Sequence, residues 1–201
     1  MTIHFDQGTC SLWLSVGDLI ATDHFPGGVR LTPMLRQRAT MGQQAHTAHQ
    51  AAQLAVQPSY RAEVTVQHQL VVDNYTVHIQ GRIDGLYEAG ETLIVEEIKS
   101  LLVPEEQFPT LTLADYPTYE HQLTLYIYLL HQQHHGPVQG HLVLVNLADD
   151  SRKVLLVEPD LHQSEALLVQ QIRHILARYT AHAARAAQRR QRLDRLRFPF
   201  A

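Results

Sequence analysis

The chain has 201 residues, of which 45% are hydrophobic, and its formal net charge is -4. That length and apolar content suffice for one buried core, so one domain is the simplest expectation. The single cysteine, Cys10, excludes a disulfide framework, a cysteine-ligated zinc site and a four-cysteine iron–sulfur cluster. No segment approaches the roughly 20 apolar residues of a membrane span, and the first residues do not resemble a secretory leader. We therefore expect a cytoplasmic protein without a membrane partner.

Helix and strand signals alternate along the first half of the chain. A short apolar segment at 12–21 ends at a Phe-Pro-Gly-Gly loop (25–28), and the alanine- and glutamine-rich stretch 34–56 has good helix propensity. Three extended segments follow, at 60–72, 75–87 and 92–101. The Asp73-Asn74 turn between the first two predicts an antiparallel meander.

The second half repeats the alternation with longer helices. Asp115-Tyr-Pro117 marks the start of a helix that runs through Leu130. Strands are predicted at 141–147 and 153–157, and Glu158-Pro-Asp160 caps a long final helix. The order is helix, three-strand meander, helix, two strands, long C-terminal helix. It predicts an α/β protein whose mixed central β-sheet is flanked by helices.

Basic residues concentrate at the C-terminal end. Eight of the fourteen arginines lie in the last twenty-nine residues, so the rest of the chain is acidic. We expect a globular domain at 1–184 and an arginine-rich helix or connector at 185–201. Such a helix can contact a nucleic acid backbone, and it can equally be a solvated helix or a linker.

The strongest chemical signal is Asp84 followed thirteen residues later by Glu97-Ile98-Lys99. Alternation along a strand places Glu97 and Lys99 on one face and Glu96 on the other. A hairpin would bring Asp84 beside Glu97. Carboxylates suit Mg2+ or Mn2+, which polarise phosphoryl groups and activate water, and a lysine adds positive charge near the reacting oxygens. A solvated strand face is the alternative, although the apolar run before Glu97 favours a partner or a metal.

These residues, with Gly42 and His46 before them and Gln122 and Tyr126 after them, resemble RecB-like nucleases of the PD-(D/E)XK superfamily. The resemblance implies a restriction-endonuclease-like core, with the nuclease domain at 1–184. It also implies roles for single residues. Metal ligands would be His46, Asp84, Glu97 and the Ile98 carbonyl. Catalysis would rest on Asp84, Glu97 and Lys99, with Lys99 assisting the nucleophile. Gln122 and Tyr126 would position DNA or brace the site.

Each of these residues has a plainer interpretation as well. His49 lies one helical turn from His46 and competes with it as the ligand, and Gln122 and Tyr126 also suit a helix face that packs on the sheet. Glu96 lies off the metal face, so we expect it to tolerate substitution better than Glu97. Glu63 could support the site or be an ordinary strand carboxylate.

A narrower resemblance links the chain to the nuclease region in front of bacterial helicases of the XPD/DinG type. It rests on four segments: 14–20, 60–64, 95–99 and 196–200. It implies a helicase motor in the same polypeptide, DNA as the partner with single-stranded or branched forms favoured, and a role in DNA processing such as repair. Some RecB-like relatives carry an iron–sulfur cluster, and this chain is expected to have none.

Three functions follow from the sequence. The first is a Mg2+- or Mn2+-dependent deoxyribonuclease that hydrolyses phosphodiester bonds. The second is a non-cleaving DNA-binding module of nuclease fold that assists an attached helicase. The third is a protein-docking domain that uses the C-terminal helix. RNA stays open as a substrate, because no residue visibly reads a 2'-hydroxyl.

Overall fold

The computed structural model describes residues 3–21, 33–134 and 136–197. The predicted Phe-Pro-Gly-Gly loop (25–28) and the Phe-Pro-Phe segment (198–200) lie outside these residues. The strands of the described part are β1 His4–Asp6, β2 Ser11–Ser15, β3 Arg61–Val72, β4 Tyr75–Ala89, β5 Thr92–Leu101, β6 Val138–Asn146 and β7 Arg152–Val157. The α-helices are α1 Val16–Ile20, α2 Pro33–Val56, α3 Pro117–His131 and α4 Leu161–Arg197.

All seven of these strands join one mixed sheet in the order β1-β2-β4-β5-β6-β7, and β3 pairs with β4 beside this path. The β3–β4–β5 meander is antiparallel, as predicted. Two pairs, β2–β4 and β5–β6, are parallel. The predicted α/β class with a mixed central sheet flanked by helices is therefore confirmed.

The N-terminal segment differs from its prediction. The sequence indicated only a short apolar stretch, whereas the structure has two strands and a helix there. Ser15 ends β2 and caps α1, because its hydroxyl accepts from the Asp18 N–H at 3.1 Å and the Asp18 carboxylate accepts from the Ser15 N–H at 2.7 Å. Strand β2 gains its stability from pairing with β4, whose partner residues lie 65 positions further along the chain, so local propensity does not reveal it.

The two faces of the sheet are covered by different helices. The main core contains Leu123 and Ile127 of α3 and Leu168 of α4, together with inward residues of the sheet. A smaller cluster of Ile98, Val143 and Val145 lies on the other face, where Ala45 of α2 packs against it. Helix α2 therefore faces α3 across the sheet, and strand β5 contributes side chains to both faces.

Helix α4 has a buried first half and an exposed second half. Leu168, Ile172 and Leu176 are buried, whereas every residue from 181 to 193 is exposed or half-buried. The helix continues without a break through residues 184 and 185. Within the described part of the chain, no helix combines the length and apolarity needed to cross a membrane.

Candidate active site at the opened hairpin

The β4–β5 hairpin opens at Asp84 and Glu97. Backbone pairing runs from Ala89 opposite Thr92 to Gly85 opposite Glu96 and ends there. At the next step, the Ile98 N–H donates to the Asp84 carboxylate at 2.8 Å instead of to a main-chain carbonyl. Because the N–H and C=O of one strand residue point to the same edge, the Ile98 carbonyl also faces this gap. The opening thus gathers a carboxylate and a main-chain carbonyl.

Glu97 lies beside the opening and is buried. One of its oxygens, Oε1, contacts the Lys99 ammonium, which confirms that the two side chains share a face. The other, Oε2, is buried and has no hydrogen-bond partner among the described residues. Burial raises the pKa of the Glu97 carboxyl to about 7, and the neighbouring Asp84 adds to the rise. An unpartnered buried carboxylate oxygen is costly, so this atom is suited to a bound cation.

Asp84 and His46 meet at the same place from different elements. The His46 Nδ1 lies 3.8 Å from the Asp84 Oδ2. Burial raises the pKa of Asp84 against the opposing effect of the Ile98 N–H, and burial lowers the pKa of His46. The lowered pKa keeps the imidazole neutral near pH 7, which is the form that binds a metal.

Gly42 explains how α2 approaches closely enough for His46 to reach the site. A Cβ at position 42 would lie 2.7 Å from the Ser100 hydroxyl of β5. A groove of about 460 Å³ adjoins this contact, and its lining includes Arg38, His46 and Tyr119. In the Gly-x-x-x-His motif, Gly42 therefore permits the close packing of α2, and His46, one helical turn later, lies in the site.

Helix α3 holds Lys99 from the other face. The Lys99 ammonium donates to the Gln122 side-chain oxygen at 3.2 Å and lies 4.9 Å from the centre of the Tyr119 ring. Tyr126 is buried, and its hydroxyl donates to the Arg82 carbonyl at 2.9 Å. Gln122 thus touches the site directly, whereas the position of Tyr126 is one that braces α3 against β4.

Gln50 was not singled out in the sequence, yet it supports Asp84. Its amide donates to the Asp84 carbonyl at 2.9 Å and to the Glu63 carboxylate at 3.2 Å. Glu63 also pairs with Arg82 at 2.6 Å and has a positive φ of 55°. Gln50 lies four residues after His46 on α2, a helical spacing that could have identified it.

Glu96 is held in a buried contact that the sequence did not indicate. It lies off the Glu97 face, as predicted, but it is buried and its carboxylate is 3.2 Å from the His49 imidazole. His49 is therefore held by Glu96, whereas His46 is the histidine beside Asp84. A buried carboxylate within hydrogen-bonding distance of a buried imidazole does not tolerate substitution in the way that an exposed carboxylate does.

Whether a divalent cation suits this site can be judged from the donors present. No three histidine, cysteine, aspartate or glutamate side chains of the described ranges are already grouped around one point. Mg2+, however, is commonly held by one or two carboxylates, with waters and substrate oxygens completing its shell. Asp84, the unpartnered Glu97 oxygen and the Ile98 carbonyl supply such a donor set. The residues therefore fit a hard divalent cation.

The raised pKa of Glu97 predicts a pH-dependent stability in the metal-free protein. The folded state retains a proton on Glu97 between pH 4.5, its ordinary pKa, and about pH 7. The unfolded state releases that proton, so the free energy of unfolding should fall by about 3 kcal/mol as pH rises through this window. Urea unfolding at pH 5 and pH 8 in the presence of a chelator measures the change.

Glu97→Gln is the matched control for that measurement, since the amide cannot titrate. The variant should lack about 3 kcal/mol of the wild-type pH dependence. The same pH dependence in both proteins would contradict the raised pKa of Glu97.

Comparison with known proteins agrees with this architecture. A family model described as the PD-(D/E)XK nuclease superfamily matches residues 21–197. The solved structure of SSO0001 aligns with 84% of this chain and 78% of its own, at 18% identity and a TM-score of 0.55, a likeness that shows the fold. A Eubacterium rectale protein with a provisional exonuclease assignment aligns with 58% of this chain and 44% of its own, at 11% identity and a TM-score of 0.39.

A search of curated proteins gave no significant match. The family model nevertheless covers well over half of the chain. The mixed sheet flanked by helices is consistent with the restriction-endonuclease-like fold of that family. The chain therefore belongs to the PD-(D/E)XK nuclease superfamily.

Proposed function

We propose that this protein is a divalent-metal-dependent nuclease that hydrolyses the phosphodiester bonds of DNA, with Mg2+ or Mn2+ as its cofactor. The observation that carries the proposal is the convergence of Asp84, Glu97 and Lys99 at the opened hairpin. A purely structural sheet has no need for a buried carboxylate oxygen without a partner.

Each residue of the site would have a separate role in the reaction. Asp84, Glu97, the Ile98 carbonyl and neutral His46 would hold the cation, which supplies charge stabilisation to the phosphoryl oxygens and lowers the pKa of water. Lys99 would place its ammonium beside the attacking water or the developing oxyanion. The Gln122 oxygen at 3.2 Å and the Tyr119 ring restrict where that ammonium can lie. Lys99 is therefore oriented before substrate arrives.

Supporting groups keep this arrangement in place. Gln50 fixes the Asp84 backbone from α2, and Tyr126 fixes the Arg82 backbone from α3. Both helices thereby hold the part of β4 that carries Asp84. The proposal therefore includes helix α3. Tyr126 would brace the site, and Gln122 would position the substrate.

The narrower assignment is a RecB-like nuclease domain at 1–184 that is joined to a helicase motor, with 185–201 as the connector. It is supported by exposed arginines at 185, 189, 190 and 192, on a part of α4 that lies beyond the buried stretch. Such a helix suits a contact with the DNA backbone or a route toward a further domain. Single-stranded or branched DNA is the substrate that this assignment favours.

The test is cleavage of end-labelled single- and double-stranded DNA by the purified chain with Mg2+, Mn2+ or EDTA. We expect cutting with either metal and none with EDTA. Lys99→Ala, purified in parallel, should show no cutting and so excludes a contaminating nuclease. Salt-dependent DNA binding without cleavage under any metal would instead favour the non-cleaving module.

A further inference from the structure

A row of rings crosses the sheet on the face of β4 that also carries Asp84. His4 pairs with Trp13 between β1 and β2, and Trp13 pairs with His78 between β2 and β4. The Trp13 and His78 rings are stacked, with centroids 5.0 Å apart and planes within 5°. The His4 ring meets Trp13 edge-on at 5.0 Å. We call these three residues the ring row.

The ring row borders a cavity of about 390 Å³. The polar side chains that line it beside Trp13 and His78 include Gln67, Gln69 and Gln80. Gln69 pairs directly with His78, and Gln67 pairs with Gln80 one step nearer to the hairpin opening. No aspartate or glutamate is among its described lining residues. The cavity therefore combines stacked rings with neutral amides, and it does not repel an anion.

Strand alternation connects this cavity to the active site. Val77, Ile79 and Ile83 of β4 are buried in the main core, so the residues between them face the other way. His78, Gln80 and Arg82 therefore follow one another along a single face. The Asp84 carboxylate lies beyond them on the same α2 side, beside His46. Six residues at about 3.3 Å each place the ring row about 20 Å from Asp84. A stacked strand that advances about 3.4 Å per nucleotide would cover that distance with about six nucleotides.

We propose that the ring row and its cavity form a subsite for an unpaired nucleobase of the DNA strand whose phosphodiester lies at Asp84. Aromatic platforms of this kind bind single strands by stacking, which is worth about 1–3 kcal/mol per base and tolerates any sequence. A base in the cavity would extend the Trp13–His78 stack, and the glutamine amides would contact its edge. A base within a duplex is already stacked and paired, so the subsite selects single-stranded segments. That the bound strand is DNA follows from the proposed nuclease function.

The experiment uses Trp13, the only tryptophan of the chain, as an intrinsic probe. The full-length protein is titrated in EDTA with a twelve-nucleotide single strand, with a four-nucleotide strand, and with a duplex of the longer sequence. We expect saturable quenching of tryptophan fluorescence by the twelve-nucleotide strand. The duplex should quench little at the same concentration. His78→Ala should weaken the apparent binding of the longer strand about tenfold, which corresponds to the loss of one stacking contact.

His131→Ala is the matched control, because His131 is exposed at the end of α3 and is not among the residues that line the cavity. Its binding should equal that of the wild type. In the presence of Mg2+, His78→Ala should lower kcat/KM about tenfold for the twelve-nucleotide strand and leave the four-nucleotide strand unchanged.

The possible outcomes separate this inference from the proposed function. Quenching lost in His78→Ala supports the subsite even if the protein cuts nothing, in which case only the nuclease assignment fails. An absence of quenching, or quenching that is equal in His78→Ala or with the duplex, overturns the subsite. If DNA is still cut in that case, the nuclease assignment stands without it.

Discussion

Substitution of the three residues at the hairpin opening should separate metal binding from catalysis. We expect Asp84→Asn and Glu97→Gln to lose cleavage and also the rise in Tm that Mg2+ or Mn2+ produces in the wild type. Lys99→Met should lose cleavage by at least about a hundredfold, the usual cost of removing a group that stabilises a transition state. This variant should keep the rise in Tm, because the Lys99 ammonium that it lacks repels the cation and is not a ligand.

The physical reason lies in the contacts of each group. The Glu97 oxygen without a partner and the Asp84 carboxylate are the charged donors available to an ion. Lys99 contacts Glu97 and Gln122 on the α3 side. Its removal leaves the carboxylates in place, so the cation should still bind. The effect then falls on the reaction step and not on the occupancy of the site.

Cleavage rates and thermal unfolding with and without metal are measured on the same preparations. Glu91→Gln is the control, since Glu91 is an exposed carboxylate in the turn between β4 and β5. It should match the wild type in both assays. Full cleavage by all three site variants would show that the active site lies elsewhere.

The positions of Asp84, Glu97 and Lys99 could be predicted because they depend on contacts between residues close in sequence. Glu97 and Lys99 share a face through strand periodicity alone, and a hairpin of the predicted length brings Asp84 opposite Glu97. The opening of that hairpin was not predictable, because it depends on the Asp84 carboxylate replacing a main-chain acceptor of the Ile98 N–H. The support from Gln50 likewise requires α2 to lie against β4 and β5, a tertiary contact.

The fold shows the same division between local and distant information. The meander, α2 and α3 have strong local signals, and the structure contains them within one or two residues of the predicted limits. Strands β1 and β2 are three and five residues long; β1 pairs with β2, and β2 pairs with β4, which is distant in sequence. Strands this short have no distinctive period, so the ring row that His4 and Trp13 form with His78 of β4 could not be recognised from the sequence.

Glu96 is the residue for which burial changes the expectation most. Its position off the metal face suggested tolerance, but the Glu96 and His49 side chains are only 3% and 4% exposed. The Tyr60 hydroxyl also lies against Glu96, and burial together with this carboxylate raises the pKa of Tyr60. We therefore expect Glu96→Ala to lower the free energy of unfolding by about 3–5 kcal/mol, because it leaves His49 buried without its partner.

Urea unfolding of Glu96→Ala measures this loss, with Glu88→Ala as the control. Glu88 is exposed on β4, so its removal should change stability by no more than about 0.5 kcal/mol. The double variant with His49→Ala should be less destabilised than the sum of the two single variants, because the second change removes the unpaired group. Additive losses, or an unchanged urea midpoint for Glu96→Ala, would contradict the pairing. Cleavage per folded molecule should stay near the wild-type rate, since Glu96 and Glu97 lie on opposite faces of β5.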